Sequence, residues 1–83
     1  MDRAAEVREI VRRVLDIKGD RNPFSDDASL LISGRLASID VLEVVLGIEE
    51  RFGVDFSDRP FDQNAFDSVQ GILRLVDDDL SRR

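Results

Sequence analysis

Eighty-three residues make a single domain with room for one modest core. Apolar residues at 42% against 36% charged suit a folded chain rather than a disordered one. The absence of cysteine and histidine excludes disulfides, thiolate chemistry, zinc–thiolate sites and the commonest general base, leaving an enzyme only carboxylates, Lys18 and arginines.

The net charge of −6 is unevenly spread. Residues 1–18 hold five basic and four acidic groups, whereas residues 38–62 hold seven acids (Asp40, Glu43, Glu49, Glu50, Asp55, Asp58, Asp62) against Arg51 and Arg59. Negative potential there repels phosphate backbones and attracts basic protein surfaces, so the expected partner is a basic protein and not a nucleic acid. The apolar runs are too short to span a bilayer, and the charged N-terminal residues are unlike a signal peptide. A monomeric, cytoplasmic domain without membrane insertion is expected.

From Arg3 to about Asp16, the residues Val7, Ile10, Val11, Val14 and Leu15 recur at the spacing of an amphipathic helix. Lys18 and Gly19 suit its end, a cation in the last turn and glycine beyond. A long ordered loop is expected from Gly19 to Ala37, with Phe24, Leu30, Leu31 and Leu36 as anchors onto the core. A loop of that length in a small domain is often functional. The second helix is predicted from Ile39 to about Phe52, ending at Gly53, with Ser38 as its N-cap. A short helical turn is predicted near Pro60 to Ala65. The last helix is predicted to begin near Ser68, with Asp67 to Gln70 as a capping box and Val69, Ile72, Leu73, Val76 and Leu80 on one face. Asp77, Asp78 and Asp79 with Arg82 and Arg83 read as a solvated tail, frayed at 81–83. No useful strand alternation occurs. The predicted fold is an all-α, small antiparallel four-helix bundle of three longer helices and one short, with a long loop between the first two.

On a helical wheel the second helix has two apolar stripes. Val41, Val44, Val45, Ile48 and Phe52 form one, the expected core face. Ile39, Leu42 and Leu46 form another, flanked by Glu43, Glu49 and Glu50. Either both stripes are buried in the bundle, or the second is a docking patch. In a docking patch the apolar anchors supply affinity and the acids supply orientation and association rate.

The stretch from Leu30 to Phe56, "LLISGRLASIDVLEVVLGIEERFGVDF", resembles the central part of acyl carrier proteins and related peptidyl and aminoacyl carrier domains. The entry Ser33-Gly34-x-Leu36-x-Ser38-Ile39 is similar to the family's, as are Glu43, Ile48-Glu49-Glu50, Phe52-Gly53-Val54 and Phe56. Val7 to Leu15 and Phe66 to Val76 are similar to the family's first and last helices, so the resemblance covers nearly the whole chain. It implies that Ser38 takes the 4'-phosphopantetheine arm of coenzyme A from a phosphopantetheinyl transferase, with release of 3',5'-ADP. The arm's thiol would hold acyl or aminoacyl groups as thioesters, which gives a cysteine-free chain a thiol. The transferase would supply base and metal, so Ser38 needs no triad of its own.

By the same resemblance Ile39, Asp40, Leu42, Glu43, Leu46, Glu49 and Glu50 fall where carriers meet loading and processing enzymes, with Asp40 on the exposed acidic rim. Val44, Ile48 and Phe61 fall where cargo could be stored. The chain departs from the family at Ala37, where aspartate is usual and is understood to face the transferase's magnesium site. Asp40 is the acid nearest to substitute for it. Two readings remain at this level: a carrier modified at Ser38, and a carrier-like docking domain in which Ser38 only caps a helix.

Overall fold

The computed structural model describes residues 2–56 and 63–81. In chain order these form α1 (Arg3–Ile17), α2 (Ser38–Phe52), a 3-10 turn (Gln63–Phe66) and α3 (Val69–Ser81), with no strand among the described residues. The expected all-α bundle is therefore three α-helices and a single 3-10 turn instead of a fourth short α-helix. Its described part is Gln63–Phe66, and Pro60 to Asp62 of the predicted turn lie outside the described residues.

Asp2 starts α1 by accepting the Ala5 amide at 2.7 Å, a cap not anticipated from the sequence. Beyond the helix, the Gly19 amide donates to Asp16 O at 3.0 Å and the Asp20 amide to Leu15 O at 2.9 Å. This paired closure requires a left-handed residue, and Gly19 supplies it at φ +88°. Gly53 plays the same part after α2 at φ +67°, its amide donating to Glu49 O at 2.9 Å.

The core follows the helical spacing. Val7, Ile10, Val11 and Leu15 of α1 pack with Val41, Val44, Val45 and Ile48 of α2 and with Val69, Ile72 and Val76 of α3. Val14, Phe52, Leu73 and Leu80 are only partly buried at its edge. Gly47 lets α2 lie close to α1, because a Cβ there would stand 2.9 Å from Ile10 Cγ2. Arg51 ties the same two helices by reaching Glu6 and Glu9, each at 3.2 Å.

The loop between α1 and α2 is held from both sides. Leu30 and Leu36 are buried, while Phe24 and Leu31 are partly buried. Arg12 and Arg35 both lie against the Phe24 ring, at 5.4 and 5.9 Å from its centroid. Arg35 also grips the Asp20 carboxylate with two nitrogens, at 2.9 and 3.1 Å, while Arg12 donates to the Asp20 and Asn22 carbonyls. On the other side, the Asp67 carboxylate accepts the Leu31 amide at 2.8 Å, the Ile32 amide at 2.9 Å and the Ser29 hydroxyl at 2.9 Å.

Asp67 therefore does not form the expected capping box. Ser68 caps α3, its hydroxyl accepting the Gly71 amide at 3.0 Å, while the Asp26 carbonyl accepts the Gln70 amide at 2.9 Å. The end of α3 is also better held than expected: Asp77 pairs with Arg3 of α1 at 2.7 Å, and the helix includes Ser81. Arg82 and Arg83 lie outside the described residues.

Candidate functional site

The loop delivers the chain to the start of α2, and the helix begins one residue earlier than predicted. Ala37 is the N-cap and Ser38 the first helical residue. An alanine side chain accepts no hydrogen bond, so capping falls to Asp40, whose Oδ2 accepts the Ala37 amide at 2.8 Å. The Ser38 side chain is exposed, and its hydroxyl has no hydrogen-bond partner among the described residues. Its expected role as N-cap is thus corrected, because the acid at the third helical position does that work.

Asp40 is also corrected. It is half-buried and pairs with Lys18 Nζ at 2.6 Å, and is not a free member of an exposed rim. Lys18 in turn donates to the Arg35 carbonyl at 2.6 Å, so one ammonium joins the end of α1, the loop and the first turn of α2. The Lys18 ammonium, followed by the Ala37 amide, holds the Asp40 carboxyl below the usual carboxylate value against the opposing effect of burial. A carboxylate committed in this way is poorly placed to replace the missing acid at position 37.

Along α2 the two stripes separate cleanly. The core stripe is buried, whereas Ile39, Leu42 and Leu46 are 70%, 53% and 60% exposed, which removes the reading in which both stripes are covered. Glu43 and Glu50 stand exposed beside the second stripe, without an ion pair or hydrogen bond among the described residues. Glu49 differs from them: half-buried, it accepts the Phe56 amide at 2.9 Å and fixes the extended segment after the helix. Val44 and Ile48 lie fully inside the core. Phe61 lies outside the described residues.

The end of α1 supplies features that the sequence reading missed. Ile17, placed outside the predicted core, is 81% exposed. With Val14, Lys18, Ile39, Asp40 and Glu43 it lines a cleft of about 400 Å³ between the end of α1 and the start of α2. The signal was available, since Ile10, Val14 and Ile17 continue one helical line. Only the tertiary arrangement shows that the line runs beyond its cover.

The chain matches the phosphopantetheine attachment site family over residues 5–76. It belongs to that family. It is also 31% identical over 72 residues to an aminoacyl carrier protein of Agrobacterium fabrum, covering 87% of this chain and 86% of that protein. No solved structure matches.

The protein is thus a carrier and not a catalyst, and the prosthetic group of its family is 4'-phosphopantetheine. The residues present fit that group. The Ser38 hydroxyl, exposed and with no competing bond among the described residues, stands at the N-terminus of a 15-residue helix, where free amides and the helix dipole favour an anion such as a phosphodiester. No helix among the described residues is long and apolar enough to cross a membrane.

Proposed function

We propose that Ser38 is the residue that carries the 4'-phosphopantetheine arm, and that the protein presents thioester-bound acyl groups to partner enzymes. The observation that carries this reading is the state of the Ser38 hydroxyl: exposed, at a helix start, and released from capping by Asp40. In the alternative, an unmodified docking domain, Ser38 would be only a cap; the lack of a capping bond to its hydroxyl among the described residues supports the carrier reading instead.

In the loading step Ser38 Oγ attacks the pantetheine-side phosphorus of coenzyme A. A new O–P bond forms, the diphosphate P–O bond breaks, 3',5'-ADP leaves with the electron pair, and the hydroxyl proton passes to the transferase's base. Once attached, the arm supplies a thiol that holds cargo as a thioester. The similarity to an aminoacyl carrier protein favours an aminoacyl cargo over a long acyl chain.

Ile39, Leu42 and Leu46 are the apolar anchors for partner enzymes in this reading, with Glu43 and Glu50 as the charges that orient them. Glu49 and Asp40 support the helix instead. The working location is the cytoplasm, where coenzyme A is available.

The test is intact mass after incubation with coenzyme A, magnesium and a broad-specificity phosphopantetheinyl transferase. Addition of one phosphopantetheine to wild type and none to Ser38→Ala is the expected result. A wild-type protein that stays unmodified, with its cognate transferase included, overturns the reading.

A further inference from the structure

The apolar surface beside Ser38 does not stop at α2. Ile17, at the last residue of α1, is the most exposed large apolar side chain described, and it faces Ile39 across the cleft whose floor includes Val14. Three charged residues border that cleft. Lys18 and Asp40 neutralise one another at 2.6 Å, which leaves Glu43 as the uncompensated charge. The cleft therefore suits an apolar side chain with a cation beside it.

Which partner occupies it follows from reach. An enzyme that works on cargo meets the end of a long arm and can stand away from the helix start. The enzyme that installs the arm has to bring its active site to the Ser38 hydroxyl itself, so its footprint necessarily includes the ground around the first turn of α2. It also meets Ala37 where an acid would usually assist it, and Asp40 is held by Lys18.

We infer that the cleft between Ile17 and Ile39 is a docking site for the phosphopantetheinyl transferase, filled by an apolar side chain flanked by a lysine or arginine of that enzyme. The inference rests on Ser38 being the attachment residue. It adds the end of α1 to a recognition surface otherwise confined to α2 and its stripe.

The experiment is steady-state kinetics of arm transfer by one broad-specificity transferase, with the apo-protein as varied substrate. Ile17→Ser is expected to raise the KM for the carrier about fivefold or more with kcat kept. Ile17→Arg is expected to raise it further, because a cation in the cleft repels the partner's own, whereas Ile17→Glu costs less than Ile17→Arg. Ile32→Ser is the control at an isoleucine of similar exposure, 79%, that does not line the cleft, and it leaves KM unchanged. Ile17 is exposed, so helicity by circular dichroism should be the same in all variants. Wild-type KM in Ile17→Ser and Ile17→Arg overturns the docking site while leaving Ser38 as the attachment residue. An equal or greater effect of Ile17→Glu overturns the basic partner, and a wild-type protein that takes no arm overturns both the site and the reading beneath it.

Discussion

Lys18 closes on Asp40 at 2.6 Å, and the same Asp40 oxygen accepts the Ala37 amide at 2.8 Å. This joins the end of the fold's first helix to the residue before Ser38. Because Asp40 caps α2, Ser38 does not have to. Ser38→Ala should therefore leave the unfolding free energy within about 0.5 kcal/mol of wild type, the range of an ordinary surface change. Asp40→Ala, which removes both the cap and the partner of Lys18, should cost about 1–2 kcal/mol. Urea unfolding of both variants checks the order. A costly Ser38→Ala beside a neutral Asp40→Ala would return the capping role to serine.

Below neutral pH, stability should fall only in acid. The Asp67 carboxyl is held below the usual carboxylate value, first by the Ile32 amide and then by the Ser29 hydroxyl and the Leu31 amide. Asp40 is depressed by Lys18, Asp20 by Arg35 and Asp26 by Arg8. A carboxyl with a depressed folded-state pKa contributes fully above its unfolded value of about 3.9, and that contribution is lost as pH falls through the lower folded value. The chain has no histidine or cysteine, so no ordinary side chain titrates between about pH 5 and 8. Urea midpoints should be flat across that range and drop below about pH 4. In Asp67→Asn the midpoint should be lower at neutral pH and the acid drop shallower. An acid drop as steep as wild type in that variant would remove Asp67 from the account.

Gly71 is where α3 meets the 3-10 turn. A Cβ at this position would lie 2.6 Å from the Ala65 carbonyl oxygen, a backbone atom that cannot rotate away. Alanine would gain about 1 kcal/mol of helix propensity. Forcing the turn and the helix apart should cost about 1–3 kcal/mol. Gly71→Ala is therefore expected to be net destabilising in thermal or urea unfolding. A stabilised variant would show that the turn can shift freely.

The parts of this fold legible in the sequence are those set by helical periodicity. Val7, Ile10 and Val11, then Val41, Val44, Val45 and Ile48, then Val69, Ile72 and Val76 all occupy the core as their spacing indicates. The second stripe of Ile39, Leu42 and Leu46 was legible for the same reason, but its exposure was left open until the packing of the three helices decided it. The illegible parts depend on residues far apart along the chain. Asp40 looks like one more acid on α2 until Lys18 is beside it, and Asp67 looks like a capping residue until Ser29, Leu31 and Ile32 are folded onto it. Local rules assigned the α2 cap to serine, a reasonable preference that a paired carboxylate one turn further on displaced. Among the acids flanking the second stripe, Glu49 was indistinguishable by type from Glu43 and Glu50 until the Phe56 amide reached it.

That difference among the glutamates is itself testable. Glu43→Lys and Glu50→Lys should weaken binding to a basic partner at low salt, with the loss shrinking as ionic strength rises, because exposed charges are screened over about 10 Å at 0.1 M. Neither should change helicity, since neither side chain has a partner to lose among the described residues. Glu49→Gln should behave in the opposite way. It should affect the segment around Phe56, seen as faster amide hydrogen exchange there, with little change in the salt dependence of binding. If Glu49→Gln alters salt dependence as much as Glu43→Lys does, its carboxylate faces the partner despite its bond to the backbone.

Ala37→Asp tests the departure from the family and the capping geometry in one substitution. Ala37 has the extended conformation of an N-cap, φ −84° and ψ 168°, and an aspartate there could accept an amide of the first turn while Asp40 keeps the Ala37 amide. That completes the reciprocal arrangement and should stabilise the protein by about 0.5–1 kcal/mol, somewhat less than a full cap because Asp40 already stands nearby. The same carboxylate restores the acid that faces the transferase in the family, so arm transfer should also be faster. The two effects separate in their readouts. Urea unfolding reports the cap, and transfer kinetics at saturating coenzyme A report the acid. A variant that is more stable but loaded no faster would mean that the cap is the only role an acid at this position can fill. A variant loaded faster without a gain in stability would mean that the carboxylate points toward the transferase and away from its own helix.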